Sequence, residues 1–186
     1  MRDWGRFARR IRIPLGFLFA LLYLWLAQPT GASIAMGSAV AAVGLALRAW
    51  ASGHVAKAAE ITQSGPYAYT RNPLYLGSII IGAGFALAAR NPWVALAMVL
   101  VFVAVYVPVI RWEEAWLRAN LEGFDEYARR VPRLFPRLTA AGGPGEFSTA
   151  RYRKHREYNA LLGAFAMLIA LILKLLAPLI LKRGGF

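Results

Sequence analysis

Charge falls along this chain in blocks. Uncharged runs extend over Ile13–Leu47, Asn72–Ala89, Asn91–Ile110 and Tyr158–Leu173, the last continuing past Lys174 to Leu181. The turn signal Gln28-Pro29-Thr30-Gly31 divides the first run into Ile13–Ala27 and Ala32–Leu47, giving five apolar spans. A bilayer core of roughly 30 Å takes about 20 helical residues. The shorter runs must therefore recruit flanking residues such as Ala49 and Trp50 or lie where the bilayer thins. The pattern predicts an all-α integral membrane protein with about five transmembrane helices. Arg90-Asn91-Pro92-Trp93 predicts a tight turn between two of them, with Asn91 as cap and Pro92 at a first helical position. Ala140–Gly145, rich in Gly, reads as a plain flexible break. Residues 1–186 form a single membrane domain on this reading, with a core at about 32–138 and an appended helix at about 156–182. The first span follows an Arg-rich stretch as a signal peptide would. No small-x-small cleavage pattern follows Ala27, so a retained anchor is expected.

Composition narrows the picture. With 59% hydrophobic residues, 17% charged residues and a net charge of +13, the chain is too apolar for a disordered basic tail. Its charges are also too segregated for a soluble basic domain. The absence of cysteine excludes a disulfide framework, a thiolate metal site and a cysteine nucleophile. Of the 22 basic residues, 18 lie in the N-terminal segment, the loop Arg48–Arg71 and the segment Arg111–Arg156. Cytoplasmic loops carry the excess of Lys and Arg, so these segments and the N-terminus are expected in the cytoplasm and the C-terminus outside. The charge excess is thus accounted for by topology and lipid headgroups. Membrane lipids are the expected partners, no nucleic acid is needed, and the oligomeric state is left open.

Two polar stretches carry candidate chemistry. In Ser64-Gly65-Pro66-Tyr67-Ala68-Tyr69-Thr70-Arg71-Asn72-Pro73-Leu74-Tyr75-Leu76-Gly77, Pro73 starts a helix whose first N–H groups can face a carboxylate. Tyr67, Tyr69 and Tyr75 offer rings to a flat or cationic ligand, and Gly77 permits close approach of a ligand or a helix. Against this stands the plainer reading of interfacial anchors and helix packing. The second stretch contains Glu113 and Glu114 at the end of an apolar run, followed by Gly123-Phe124-Asp125-Glu126-Tyr127-Ala128-Arg129-Arg130-Val131-Pro132. Paired carboxylates there are costly unless they meet a polar cavity or a cation. A solvated network with Arg111, Arg118 or Arg129 is the alternative. His54 and His155 belong to neither stretch and are expected at the interface.

Gly65-Pro66-Tyr67, Arg71-Asn72-Pro73-Leu74-Tyr75-Leu76-Gly77, Glu113-Glu114 and Tyr127-x-x-Arg130-Val131-Pro132 together resemble the isoprenylcysteine carboxyl methyltransferase and phospholipid methyltransferase family of integral membrane enzymes. The resemblance covers roughly Arg48–Pro136. It implies a helical membrane core with a cytoplasmic-side pocket for S-adenosylmethionine and a lipophilic small-molecule or prenylated acceptor. It also implies cofactor contacts from Ala59, Glu60, Ile61, Thr62, Tyr67, Asn72, Pro73, Leu74, Tyr75 and Glu113. Asn72 stands where the prenylcysteine enzymes usually have His. Leu121-Glu122-Gly123 replaces an expected Phe-Gly, and the family's substrate-contacting Arg falls on Val109.

The residues agree with that resemblance in charge type: Glu113 for the cationic groups of the cofactor, the helix start at Pro73 for its carboxylate, and tyrosines for its adenine. An ionised carboxylate acceptor needs orientation more than a base, which Arg111 and Arg130 could supply. An amine acceptor must lose a proton, which would fall to Glu114. The reading is therefore methyl transfer to a lipidic acceptor, an isoprenylcysteine-like carboxylate or a phospholipid amine. A nicotinamide-dependent membrane reductase and a non-catalytic scaffold are the alternatives.

Overall fold

The computed structural model describes residues 18–55, 60–143 and 145–183, and among them every regular element is helical. Helix α1 (18–26) leads into α2 (Gly31–His54). A 3₁₀ turn (Gly65–Ala68) precedes α3 (Pro73–Ala89) and α4 (Pro92–Val101). A π turn (Phe102–Tyr106) joins α4 to α5 (Val107–Asn120), and α6 (Phe124–Arg130), α7 (Thr149–Lys154) and α8 (Tyr158–Arg183) follow. Among the described residues, three helices are long and apolar enough to cross a membrane: Gly31–His54, the continuous Pro92–Asn120, and Tyr158–Pro178. The apolar α3, at 17 residues, is shorter, and residues 13–17 of the first expected span lie outside the described ones.

The boundaries follow local chemistry. Thr30 and Ser33 form a capping box at α2, each hydroxyl accepting from the other's backbone N–H at 3.2 and 2.9 Å. The expected hairpin turn is present. Arg90 takes the left-handed conformation that ends α3, and Asn91 Oδ1 accepts from Trp93 N at 2.9 Å. The Asn91 amide also donates to Leu26 O at 2.9 Å, fastening the hairpin to α1. Pro108, inside the long helix, cannot donate to a preceding carbonyl, and the π turn lies just before it. That widened turn stacks Phe102 on Tyr106 with ring centroids 5.2 Å apart and sets Tyr106 edge-on to Tyr75 at 5.5 Å.

Helices α2 and α3 meet along glycine. A Cβ on Gly44 would come within 2.6 Å of Gly77 O, and one on Gly84 within 2.5 Å of Gly37 O. The pairs Gly37–Gly84 and Gly44–Gly77 run antiparallel at seven-residue spacing, so bare backbones touch through two turns. Gly77, open at first to a ligand reading, serves this contact, and the Arg48 side chain crosses the same spot. At the end of the bundle remote from the motifs, Tyr23, Ala27, Ile34, Ala88, Ala89, Val94 and Leu171 form one core cluster. Helix α8 thus packs into the bundle through Leu171. Its Lys174 ammonium donates to Leu24 O and to Trp25 O, the orphan carbonyls at the C-terminus of α1.

The segment expected as a flexible break is packed where it is described. Ala141 N donates to Ala68 O at 2.9 Å, Gly142 lies against Gln63 O, and Gly145 lies against Ser64. Glycine there serves close approach of two backbones, not flexibility.

Candidate functional site

The two motif stretches meet through one carboxylate. Glu114 is 4% exposed. Its Oε1 accepts from Asn72 Nδ2 at 3.1 Å, and its Oε2 accepts from Arg133 Nε at 2.9 Å and pairs with Arg133 Nη2 at 2.8 Å. Arg71 Nε lies 3.3 Å from Oε1 in charge contact, yet it is buried without an aligned hydrogen bond. Charge contact without alignment leaves Arg71 held by its other bonds, Nη1 to Ala128 O at 3.2 Å and its backbone N–H to Pro132 O at 2.9 Å. Burying this carboxylate is tolerable because both oxygens meet donors. For Glu114, the network weighed for the Glu pair is a largely buried one, formed with Asn72, Arg71 and Arg133.

Residues 67–72 rest in a cradle made by residues 127–141. Tyr127 donates its hydroxyl to Tyr67 O at 2.8 Å, Arg137 N donates to Tyr69 O at 3.0 Å, and Thr70 Oγ1 donates to Leu134 O at 3.0 Å. Asn72 Nδ2 also donates to Arg133 O at 2.9 Å. Its amide is therefore turned away from α3, and it makes no side-chain cap bond to that helix. Phe124, Tyr127 and Val131 close the cradle's apolar floor, with Ile61 and Leu117 packed on it. Burial pushes the Tyr67 phenol up, and the neighbouring Tyr127, Glu157 and Glu113 act in the same direction while Arg48 opposes them. Burial likewise raises Tyr127. Both hydroxyls stay protonated donors at neutral pH.

A second ion pair borders this region. Glu157, just before α8, accepts from Arg48 Nη2 at 2.7 Å and Nε at 3.1 Å, while Arg48 Nη1 donates to Ser78 Oγ at 2.5 Å and to Leu74 O at 3.3 Å. Arg48 thereby ties α2 and the start of α8 to the first turn of α3.

The structure sorts the expected cofactor residues into layers. Tyr67, Asn72 and Pro73 are buried and engaged in the framework; Leu74, Tyr75 and Glu113 are half-buried at its edge. Ile61 and Thr62 are half-buried and Glu60 is exposed; Ala59 lies outside the described residues. Among the residues expected to act on the acceptor, Glu114 is buried at the centre. Arg130 is half-exposed, bonded to Gln63 Oε1 at 3.3 Å and paired with Glu126 at 3.7 Å. Arg111 is exposed on α5 beside Trp112, to one side of the buried Ile110 and Glu114. His54, at the end of α2, is buried against Gly65 and Phe147, 3.1 Å from Ser64 Oγ.

Sequence reasoning passed over Arg71, Arg133, Arg48 and Glu157. Arg71 opens the quoted motif but was given no role there. Arg133 stands one residue past Arg-Val-Pro. Glu157 meets Arg48 across 109 residues, and no local spacing announces that. A cavity of about 450 Å³ opens at the other end of the bundle, beside Gln28, Asn91 and Lys174, and contains no motif residue. Among the described residues no three His, Asp or Glu come together as metal ligands.

A family model described as "Phospholipid methyltransferase" matches residues 15–122, which includes α2 to α5 and both Glu113 and Glu114. The chain is 35% identical over 106 residues to the nickel-cobalt-cadmium resistance protein NccN of Alcaligenes xylosoxydans xylosoxydans, covering 56% of this chain and 48% of that protein. It is 34% identical over 110 residues to the cobalt-zinc-cadmium resistance protein CzcN of Cupriavidus metallidurans, covering 58% and 50%. The chain thus spans about half the length of the curated relatives it matches. No solved structure matches it.

Proposed function

The chain belongs to the phospholipid methyltransferase family, and we propose from that premise that it transfers a methyl group from S-adenosylmethionine to a lipidic acceptor dissolved in the membrane. The observation that carries this reading is the Asn72–Glu114 bond. It brings the Asn-Pro-Leu-Tyr turn of α3 and the Glu pair of α5, 42 residues apart, into one site.

The donor set suits the cofactor. Glu113, half-buried beside Glu114, offers a carboxylate to an ammonium or a sulfonium. The first turn of α3, whose cap residue has its amide turned to Glu114, offers backbone N–H groups to a carboxylate. Tyr75 and Tyr106 set two rings at the rim. When bound, the cofactor would supply an electrophilic methyl on a sulfonium, with a neutral thioether as its leaving group. What the protein's own residues contribute is position. Glu114 holds Asn72 and faces Arg71, Tyr127 holds the Tyr67 carbonyl, and Arg48 holds the first turn of α3.

Glu114 is poorly disposed to serve as a base, because both oxygens already meet donors. An acceptor that is already ionised, such as an isoprenylcysteine-like carboxylate, therefore suits the site better than a phospholipid amine. Arg130 orients that acceptor on this reading, bonded to Gln63 next to Ile61 and Thr62. The metal resistance named for the relatives has no counterpart in a ligand cluster among the described residues.

Purified chain in lipid nanodiscs is expected to bind S-adenosylmethionine saturably. Glu113→Gln is expected to weaken binding about tenfold, the loss of one charge-assisted contact of about 1.5 kcal/mol, and Tyr75→Ala to weaken it as well. Isothermal titration reads both. Binding unchanged in Glu113→Gln, or none in the unaltered chain, would contradict the reading.

A further inference from the structure

The segment from Arg133 to Leu138 presents a feature that the methyl-transfer reading leaves unused. Phe135 is 82% exposed and Leu138 99% exposed, although neither belongs to a transmembrane run. They do not project from a loose loop. Arg133 O and Leu134 O both accept from Thr70 Oγ1, at 3.3 and 3.0 Å. Arg137 N donates to Tyr69 O, and Arg137 Nη1 donates to Arg130 O at 2.6 Å. The backbone is pinned along its polar side to residues 69 and 70, and the two apolar side chains are held outward. Large apolar groups fixed in that position forfeit their burial unless something apolar covers them.

The setting identifies the cover. Arg133 pairs with Glu114, which lies on α5 between the exposed Trp112 and the part-exposed Trp116. Tryptophan marks the bilayer interface, so the segment stands level with that belt on a helix long enough to span. Arg133 and Arg137 neighbour Phe135 and Leu138 in the chain, and the exposed Arg129 lies near the end of the preceding helix, a pairing of cation and apolar anchor that suits phosphate headgroups above acyl chains.

We propose that Arg133–Leu138 is an interfacial anchor that seats Phe135 and Leu138 in the bilayer surface and binds anionic lipid headgroups through Arg129, Arg133 and Arg137. Because the same segment cradles residues 67–72, lipid composition bears directly on the geometry of the Asn-Pro-Leu-Tyr turn. This inference requires only that the chain is in a membrane, and it stands whether or not the methyl acceptor is the one proposed above.

The chain contains no cysteine, so Leu138→Cys in the full chain can carry one environment-sensitive fluorophore, with Glu122→Cys, exposed on the turn after α5, as the reference position. In vesicles of phosphatidylcholine with phosphatidylglycerol, the fluorophore at 138 is expected to shift to the blue and to be quenched by nitroxide-bearing lipids, while the one at 122 stays water-like. Adding Arg129→Gln and Arg137→Gln is expected to abolish the difference between anionic and neutral vesicles. A water-like signal at 138 in every vesicle would overturn the proposal. So would a blue shift indifferent to anionic lipid, and so would one that grows with protein-to-lipid ratio, which would assign the face to a second copy of the chain.

Discussion

Glu114→Ala is expected to lower stability by about 3–5 kcal/mol, the usual cost of removing one partner from a buried ion pair. The variant strands Arg71, whose side chain is 11% exposed, and it unties Asn72 from α5. Thermal unfolding in detergent or nanodiscs should show a single large fall in Tm. Glu114→Gln, similar in shape and still an acceptor, should recover part of it. Arg133→Ala removes the donors to Glu114 Oε2 but opens that oxygen to water on the side where the guanidinium is half-exposed, and is expected to cost less, about 1–3 kcal/mol. An ordering with Arg133→Ala worse than Glu114→Ala would mean that the network is not the buried hub described.

The second large effect is expected at the α2–α3 contact. Gly84→Ala places a Cβ 2.5 Å from Gly37 O and 2.7 Å from Ala41 N, and Gly44→Ala places one 2.6 Å from Gly77 O. These neighbours are backbone atoms and cannot rotate away, so the helices must separate. Each change should cost about 1–3 kcal/mol, despite alanine's better helix propensity. Gly31→Ala, with nothing within 4 Å of the new Cβ, is the matched control and should be neutral or slightly stabilising. Denaturant unfolding monitored by helix content gives the comparison.

Which parts of this structure could be read from sequence depended on how local their causes are. Helix starts at Thr30 and Asn91 depend on residues within three positions, and the turn at Arg90-Asn91-Pro92 was legible for that reason. The helical character of the apolar runs was legible too. The widened turn before Pro108 was missed because its apolar surroundings masked the proline. Ala140–Gly145 was misread because composition cannot separate glycine chosen for freedom from glycine chosen for proximity, as at Gly142 against Gln63 O. In the candidate site, the motif residues were found through their resemblance to a known family, yet their division into buried framework and half-buried edge was not. That division depends on Arg133 and Tyr127 folding back over residues 67–72, contacts made across some sixty residues. Glu114 looked like a candidate base while only its neighbours in sequence were visible. On the proposed reading, its partners in space make it a positioning residue.

Methyl transfer from S-adenosylmethionine into a membrane lipid is tested most directly by incubating the reconstituted chain with methyl-labelled S-adenosylmethionine and vesicles containing defined lipids, then extracting into organic solvent. Protein-dependent label is expected in the organic phase, strongly reduced in Glu113→Gln and released by mild base as expected of a methyl ester. Base-stable label in a phospholipid headgroup would retain the transferase and replace the acceptor. Label that never leaves the aqueous phase, with any lipid offered, would contradict the proposed transfer.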